Sequence, residues 1–231
     1  MNVCAILLTS GENESQEARE RLYSQSYPKL TIHEINNLPN HEAHQTLYRF
    51  IEENSKEYDL FAKVDGDMVL RSDEAISQAV DFFESDPSLD IASFSVLDWL
   101  SQKTIIGLHF FSNRCRWGKV NDQIFVDPNP TYPGHHILIW KKPAPIADHA
   151  PNPSTKQALK IGFHRGLKVL QKDRCIPNLN RSDFHLRYFC EIYNQNKLDR
   201  DQRRLAALYG FKLSIASKDK NLSSKDDPSL E

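Results

Sequence analysis

The residues most able to do chemistry are two carboxylates one position apart, Asp65 and Asp67, with Gly66 between them. They stand where an apolar run, Asp59 to Val64, comes to an end. Side chains alternate along a strand, so an extended path through this tripeptide points both acids the same way. Gly66 lets the backbone turn there and lets a bulky ligand approach. Such a pair suits Mn2+ or Mg2+, hard cations that take oxygen ligands and bridge phosphate oxygens. The plain alternative is a solvated turn that closes a strand. Against it, Met68-Val69-Leu70 returns to the core at once, which a hairpin tip would not need.

A second concentration of chemistry lies later in the chain. Lys156, Lys160, His164 and Lys168 recur every four residues, so on a helix they form one ridge. The ridge reads either as the solvated face of an amphipathic helix or as a cationic surface for an anion, helped by the helix N-terminus. Trp99, Trp117 and Tyr132 could offer flat faces to sugar rings, with core packing as the default for each. His135 and His136 are adjacent, and adjacent strand residues point to opposite faces, so they make a poor metal pair.

The elements that must position these residues follow from the hydrophobic pattern. Val3–Ser10 reads as a buried strand that ends at Gly11, and Glu14 to Gln25 as a helix with Ala18, Leu22 and Tyr23 inward. Leu30–Ile35 reads as a second strand, and His41–Asn54 as a helix with Leu47, Phe50 and Ile51 on its apolar face. The third strand runs into Asp65, and Ser72 precedes another helix that reaches about Glu84. Leu89–Val96 and Thr104–Phe111 follow as strands with no helix-sized insert between them. Alternating β-α-β units that give way to consecutive strands predict an α/β fold with a mixed, mainly parallel sheet. Asp127 to Gly134 is turn chemistry throughout. Ile137–Trp140 and Ile146–His149 read as short strands. Ser154 and Gln157 form a capping box before a helix that carries Leu159, Phe163, Gly166, Leu167 and Leu170 inward. Two more helices are expected, at about Ser182–Asn194 and Asp199–Tyr209, and residues 216–231 read as a disordered tail.

The chain has 231 residues, 39% hydrophobic and 26% charged, with a net charge of −2. That balance supplies no global basic field for nucleic acid or a membrane surface. No run approaches the roughly 20 apolar residues of a membrane span. The opening apolar run is too short for a signal-peptide core, so a cytoplasmic location is expected. Cys4, Cys115, Cys175 and Cys190 show no paired spacing and read as isolated reduced thiols.

Several segments together resemble the family-2-type glycosyltransferases of GT-A fold. Ser24-Gln25-Ser26-Tyr27-Pro28, followed by Leu30-Thr31-Ile32-His33-Glu34-Ile35, is similar to that family's S-x-Q-x-Y-P and second strand. Phe61-Ala62-Lys63-Val64-Asp65-Gly66-Asp67 resembles its DxD strand. Asn121-Asp122, Gly134, Ile137–Trp140, Pro143 and His149 resemble its later stretch. The match runs from about residue 3 to 155, and order and spacing carry it. Two departures stand out: Thr9-Ser10-Gly11-Glu12 replaces the usual Pro-Thr-Tyr-Asn, and Asn36-Asn37 replaces an Asp pair.

The resemblance implies a catalytic core over 1–155, with a nucleotide-binding half to about 88 and an acceptor half to 155. Helices over 156–215 would pack on it. It implies that Asp65 and Asp67 hold Mn2+ or Mg2+ and the diphosphate of a nucleotide sugar, with His149 a further ligand. Thr9, Gly11, Glu12, Lys63 and Gly66 would line the donor. Asp122 would be the general base for a hydroxyl of a glycan or glycoconjugate acceptor, with Asp127 and Asp98 as other candidates. His164 and Lys168 would face the diphosphate, and His164 rivals His149 as metal ligand. A nucleotidyltransferase also uses paired carboxylates, but the segment after the first strand lacks a glycine-rich phosphate loop. A non-catalytic nucleotide- or carbohydrate-binding module is the rival of another class. A haloacid-dehalogenase-type phosphatase is disfavoured, because its nucleophilic aspartate would end the first strand, where Thr9-Ser10 stands.

Overall fold

A computed structural model describes residues 1–117, 137–140, 144–170 and 181–217. The alternating pattern of the first 85 residues folds as read. Strand β1 (Val3–Thr9) is buried nearly throughout, and helix α1 (Ser15–Tyr23) follows it. Then come β2 (Leu30–Asn36), α2 (Asn40–Glu53), β3 (Leu60–Asp65), β4 (Met68–Leu70) and α3 (Ala75–Ser85). The consecutive strands are β5 (Ile91–Asp98) and β6 (Lys103–Ser112), and the short ones are β7 (Ile137–Trp140) and β8 (Ala147–His149). Helices α4 (Thr155–Leu170), α5 (Arg181–Asp199) and α6 (Gln202–Ser217) complete the described chain. The last two run longer than the periodicity predicts, and α6 continues into the stretch expected to be a tail. Residues 218–231 lie outside the described residues.

The strands form one sheet in the order β2-β1-β3-β6-β5-β8-β4, with β7 also on β5. β1 pairs in parallel with β2 and β3, and β5 in parallel with β7 and β8. β6 is antiparallel to both β3 and β5. This is the mixed α/β sheet expected of a GT-A-like fold. The alternation of β1 divides its residues between two cores. Val3, Ala5 and Leu7 pack with Ala18 and Leu22 of α1 and with Ala75, Ile76 and Phe83 of α3. Cys4, Ile6 and Leu8 pack on the other face with Leu47 and Ile51 of α2. Tyr23 departs from expectation: it is 62% exposed, because Ala18 and Leu22 already fill the buried face of α1.

Residues of the Ser24–Pro28 segment act as fasteners. The Gln25 side chain donates to Ser72 O (2.8 Å) and accepts from the Ile76 N–H (3.0 Å), tying α1 to the start of α3. Tyr27 Oη donates to Met1 O (2.6 Å).

Helix α4 meets α6 through glycines. A Cβ on Gly162 would stand 1.9 Å from Ala207 O, one on Gly166 1.8 Å from Ser214 Oγ, and one on Gly210 2.1 Å from Leu159 O. At Gly162 and Gly210 the backbones therefore approach closer than any side chain allows, and at Gly166 the Ser214 side chain takes the space. Gly162→Ala should destabilise the protein by about 1–3 kcal/mol by overpacking. Alanine is the better helix former by about 1 kcal/mol, so urea unfolding will show a loss where propensity alone predicts a gain.

Candidate functional site

The loops leaving β1 and β2 turn to helices on opposite faces of the sheet. Open α/β sheets bind ligands beyond the carboxyl ends of their strands, where the connections part in this way. In register, Thr9 stands beside Asn36, and Leu8 stands beside Asp65. Thr9 Oγ1 donates to Asn36 Oδ1 at 2.5 Å. The backbone then turns through Gly11, whose φ of 89° is a left-handed value that glycine adopts without strain.

Glu12 folds back to accept from the Ser10 N–H (2.6 Å) and from Ser10 Oγ (2.5 Å). Its carboxylate packs over Gly66, where a Cβ would stand 2.6 Å from Glu12 Oε2. A side chain at 66 would have to displace this carboxylate and would also crowd Leu8 O, 3.0 Å from the same Cβ position. Buried Glu14 anchors the loop from behind: it accepts from the Asn152 N–H (2.9 Å) and from Gln157 Nε2 (2.8 Å). The expected capping box is therefore half made. Ser154 Oγ accepts from the Gln157 N–H (3.1 Å), but the Gln157 side chain serves Glu14 and the Asn13 N–H instead.

The two acids of the Asp-Gly-Asp turn take different partners. Asp65 stays on the face of β3 that carries Lys63, whose Nζ donates to it at 2.8 Å. Residues 66 and 67 leave the extended path. β4 then pairs antiparallel with β8, Met68 opposite His149, and the Ala150 N–H donates to Asp67 O (2.7 Å). This register brings His149 Nε2 to 3.7 Å from Asp67 Oδ2. Ala150, buried just after His149, holds a φ of 46°, a strained value for a residue with a Cβ.

Behind His149 stands Asp98, with no exposed surface. Its Oδ1 accepts from His149 Nδ1 (2.7 Å) and from Tyr188 Oη (3.0 Å). Its Oδ2 accepts from the Ser101 N–H (2.7 Å) and Ser101 Oγ (2.6 Å). Arg165 lies 4.7 Å from the Tyr188 ring centroid, a cation over an aromatic face.

Burial pushes the Asp67 carboxyl up to about 6, with His149 pulling down and Asp65, Glu12 and Glu14 adding to the rise. Burial works the other way on His149, but the Asp67 and Asp98 carboxylates outweigh it and raise the imidazole above its ordinary value. Burial would raise Asp98 too, yet hydrogen bonds from His149 and Ser101 outweigh it and hold the carboxyl low. Burial, with the Asp98 charge, keeps Tyr188 protonated well past its usual range.

Among the described residues, no three His, Cys, Asp or Glu side chains stand close enough to hold a metal ion by themselves. The Asp67 carboxylate and the His149 imidazole nevertheless form a donor pair that suits Mn2+ or Mg2+, provided phosphate oxygens and water complete the shell. Sites with one or two protein carboxylates and substrate phosphates are usual for Mg2+.

Of the other predicted residues, His164 stands half-buried on α4 and Lys168 is 8% exposed. The basic ridge thus passes from exposed Lys156 into the protein and is not a uniformly solvated face. Asp122 and Asp127 lie outside the described residues, as do Tyr132, His135 and His136. Asp98, a candidate base in the sequence, is sealed from substrate by its four donors. Trp99 is gripped by Arg203 and Arg204, 4.0 and 4.1 Å from its ring centroid, and Trp117 stacks on Tyr48. Sequence reasoning passed over Glu14, Tyr188 and Arg165. Nothing in their local pattern marks them, since their partners are far off in the chain.

No family model matches this chain, and no curated protein matches it. Among solved structures it is similar to the mannosyltransferase PcManGT from Pyrobaculum calidifontis, solved with GDP-Man and Mn2+. The two are 13% identical with a TM-score of 0.51, over 94% of this chain and 74% of that one. A glycosyltransferase involved in glycosylation of the major capsid of PBCV-1 is 15% identical with a TM-score of 0.39, over 60% and 81%. A cytidylyltransferase from Leptospira borgpetersenii is 11% identical with a TM-score of 0.42, over 85% and 96%. Of these three, only the first agrees closely enough to establish a shared fold, and at such identity the likeness is one of fold alone.

A carboxyl raised to about 6 weakens the metal-free fold at neutral pH. The unfolded chain ionises Asp67 near 3.8, so the penalty grows as pH rises from about 4 and is complete above 6. Asp67→Asn should therefore stabilise the protein in EDTA at pH 8 by about 1–3 kcal/mol. Denaturant unfolding at several pH values should show this gain shrink as pH falls through 6 and disappear near 4.

Proposed function

We propose that this chain is a metal-dependent glycosyltransferase that moves a sugar from a nucleotide diphosphate sugar to a hydroxyl of a glycan or glycoconjugate. The observation that carries the proposal is the convergence of Asp67 and His149, 3.7 Å apart, just past the carboxyl end of β3. Asp67 and His149 would hold Mn2+ or Mg2+, which when bound offsets the charge that develops on the departing diphosphate. Asp65, held by Lys63, would fix the turn and keep a cationic side chain near the phosphates. Thr9, Gly11, Glu12 and Gly66 would line the donor, with Thr9 and Asn36 at the edge of the base. His164 and Lys168 would add positive charge from α4. In an inverting reaction Asp122 would accept the acceptor's proton.

The loop after β1 weighs against the nucleotidyltransferase reading. Its Ser10 N–H is occupied by the Glu12 carboxylate, so an acid stands where a phosphate-cradling loop would present free amides. No described helix is long and apolar enough to cross a bilayer.

Calorimetry with UDP, GDP, CDP and dTDP, with and without Mn2+, tests the proposal. One nucleotide should bind only with Mn2+, and Asp67→Ala should weaken it at least about tenfold, the scale of a lost metal ligand partner. Turnover of the matching nucleotide sugar, lost in Asp67→Ala, separates an enzyme from a binding module. Absence of binding for all four nucleotides in both conditions overturns the reading.

A further inference from the structure

The Asp98 carboxylate is fully buried and surrounded by four donors: the Ser101 N–H and Oγ on Oδ2, and His149 Nδ1 and Tyr188 Oη on Oδ1. An ionised carboxylate only accepts. The proton of a neutral His149 ring must therefore sit on Nδ1. Nε2 is left with its lone pair on the side of Asp67, at a distance too long for a hydrogen bond between the two.

Two of the groups that enforce this come from outside the sheet. Tyr188 belongs to α5, and Arg165, over its ring, belongs to α4. A third helix holds the backbone that follows Asp98. Arg204 of α6 donates to Leu100 O (2.9 Å) and Trp99 O (2.7 Å). The Trp99 N–H in turn donates to His149 O (3.1 Å).

We propose that Asp98 and Tyr188 are positioning residues that hold His149 in the Nδ1-protonated tautomer, so that Nε2 is the nitrogen offered beside Asp67. The C-terminal helices on this account belong to the site. The proposal rests on the reading that Asp67 and His149 hold a divalent cation. Outer partners of this kind orient a ligating histidine and set its tautomer.

Asp98→Asn tests it with almost no change of shape. The Ser101 backbone N–H can only donate, so the amide oxygen must turn to Ser101 and the amide NH2 to His149. His149 Nδ1 must then accept, and the proton moves to Nε2, the nitrogen a cation needs. Long-range 1H–15N spectra of metal-free protein labelled in histidine report the tautomer directly. They are taken at about pH 9, with His149 assigned by its absence in His149→Gln. The wild type should show the Nδ1–H pattern and Asp98→Asn the Nε2–H pattern. Mn2+ alone, titrated by the electron paramagnetic resonance of the free ion, should bind about 10–100-fold more weakly to Asp98→Asn.

Should Asp98→Asn fail to fold by circular dichroism, Tyr188→Phe carries the test. Removing one of the two donors on Oδ1 should shift the His149 Nδ1–H resonance downfield. An unmoved resonance overturns the proposal, as does an Nε2–H wild type or an unchanged tautomer in Asp98→Asn. A changed tautomer with unchanged Mn2+ affinity overturns it too. A wild type that binds no Mn2+ sinks the metal reading instead, and the tautomer then decides the positioning role alone.

Discussion

A carboxylate with no access to water must be matched by donors from the protein, and Asp98 sets that demand at the centre of this structure. Its four hydrogen bonds join the turn after β5, strand β8 and helix α5. Each of these pieces also carries something else the site needs. The β5–β6 turn presents Trp99 to two arginines of α6. β8 brings His149 to Asp67. α5 brings Tyr188 and, through it, Arg165 of α4. Removing a partner from such a buried charge leaves the charge unsatisfied, which costs several kcal/mol and explains why a single side chain can organise three elements.

The other organising acids obey the same rule in different ways. Glu14 is buried and satisfied by Asn152 and Gln157, so it ties the loop after β1 to the start of α4. Asp65 remains partly exposed and is answered by Lys63. Asp67 is raised chiefly by burial, with Asp65, Glu12 and Glu14 adding to the rise against the pull of the His149 imidazole. A carboxyl that the protein has pushed upward, next to satisfied neighbours, is where a cation would be most welcome. The strained φ of Ala150 lies next to it, and strain of this kind gathers where geometry is held for a purpose.

The legible part of this molecule was the part written in short-range pattern. Alternation along β1 and β3, helix-sized apolar repeats in α1 to α3, and the run of strands after Pro87 all survive in the structure. The Asp-Gly-Asp turn was visible because two acids interrupt an apolar stretch that resumes at once. What periodicity did not carry was the choice of partners. Asp98 meets Tyr188 across 90 positions, and Glu14 meets Asn152 across 138. Gln157 shows the failure most clearly. Its spacing from Ser154 satisfies a local capping rule, yet its side chain serves a buried carboxylate whose need is greater than that of a helix end. The same logic separates Asp65 from Asp67: an extended strand would align them, but pairing of β4 with β8 bends the turn toward His149.

The helices after β8 are tied to one another and to the sheet by specific contacts. α4 and α6 touch backbone to backbone at Gly162 and Gly210, and Gly166 receives the Ser214 side chain, so their relative position is fixed by hard-core contact. α6 is bolted to the β5–β6 turn by Arg203 and Arg204, which hold Trp99 between charge, stacking and carbonyl hydrogen bonds. Ala158, Tyr188, Ile192 and Ala207 join the same apolar core as β1, α1 and α3. A displacement of α5 would therefore have to move Tyr188 off Asp98 and open the core at once. The sheet supplies the acids and the histidine, but the rigidity that keeps the His149 ring in one orientation comes also from Tyr188 of α5 and, over its ring, Arg165 of α4.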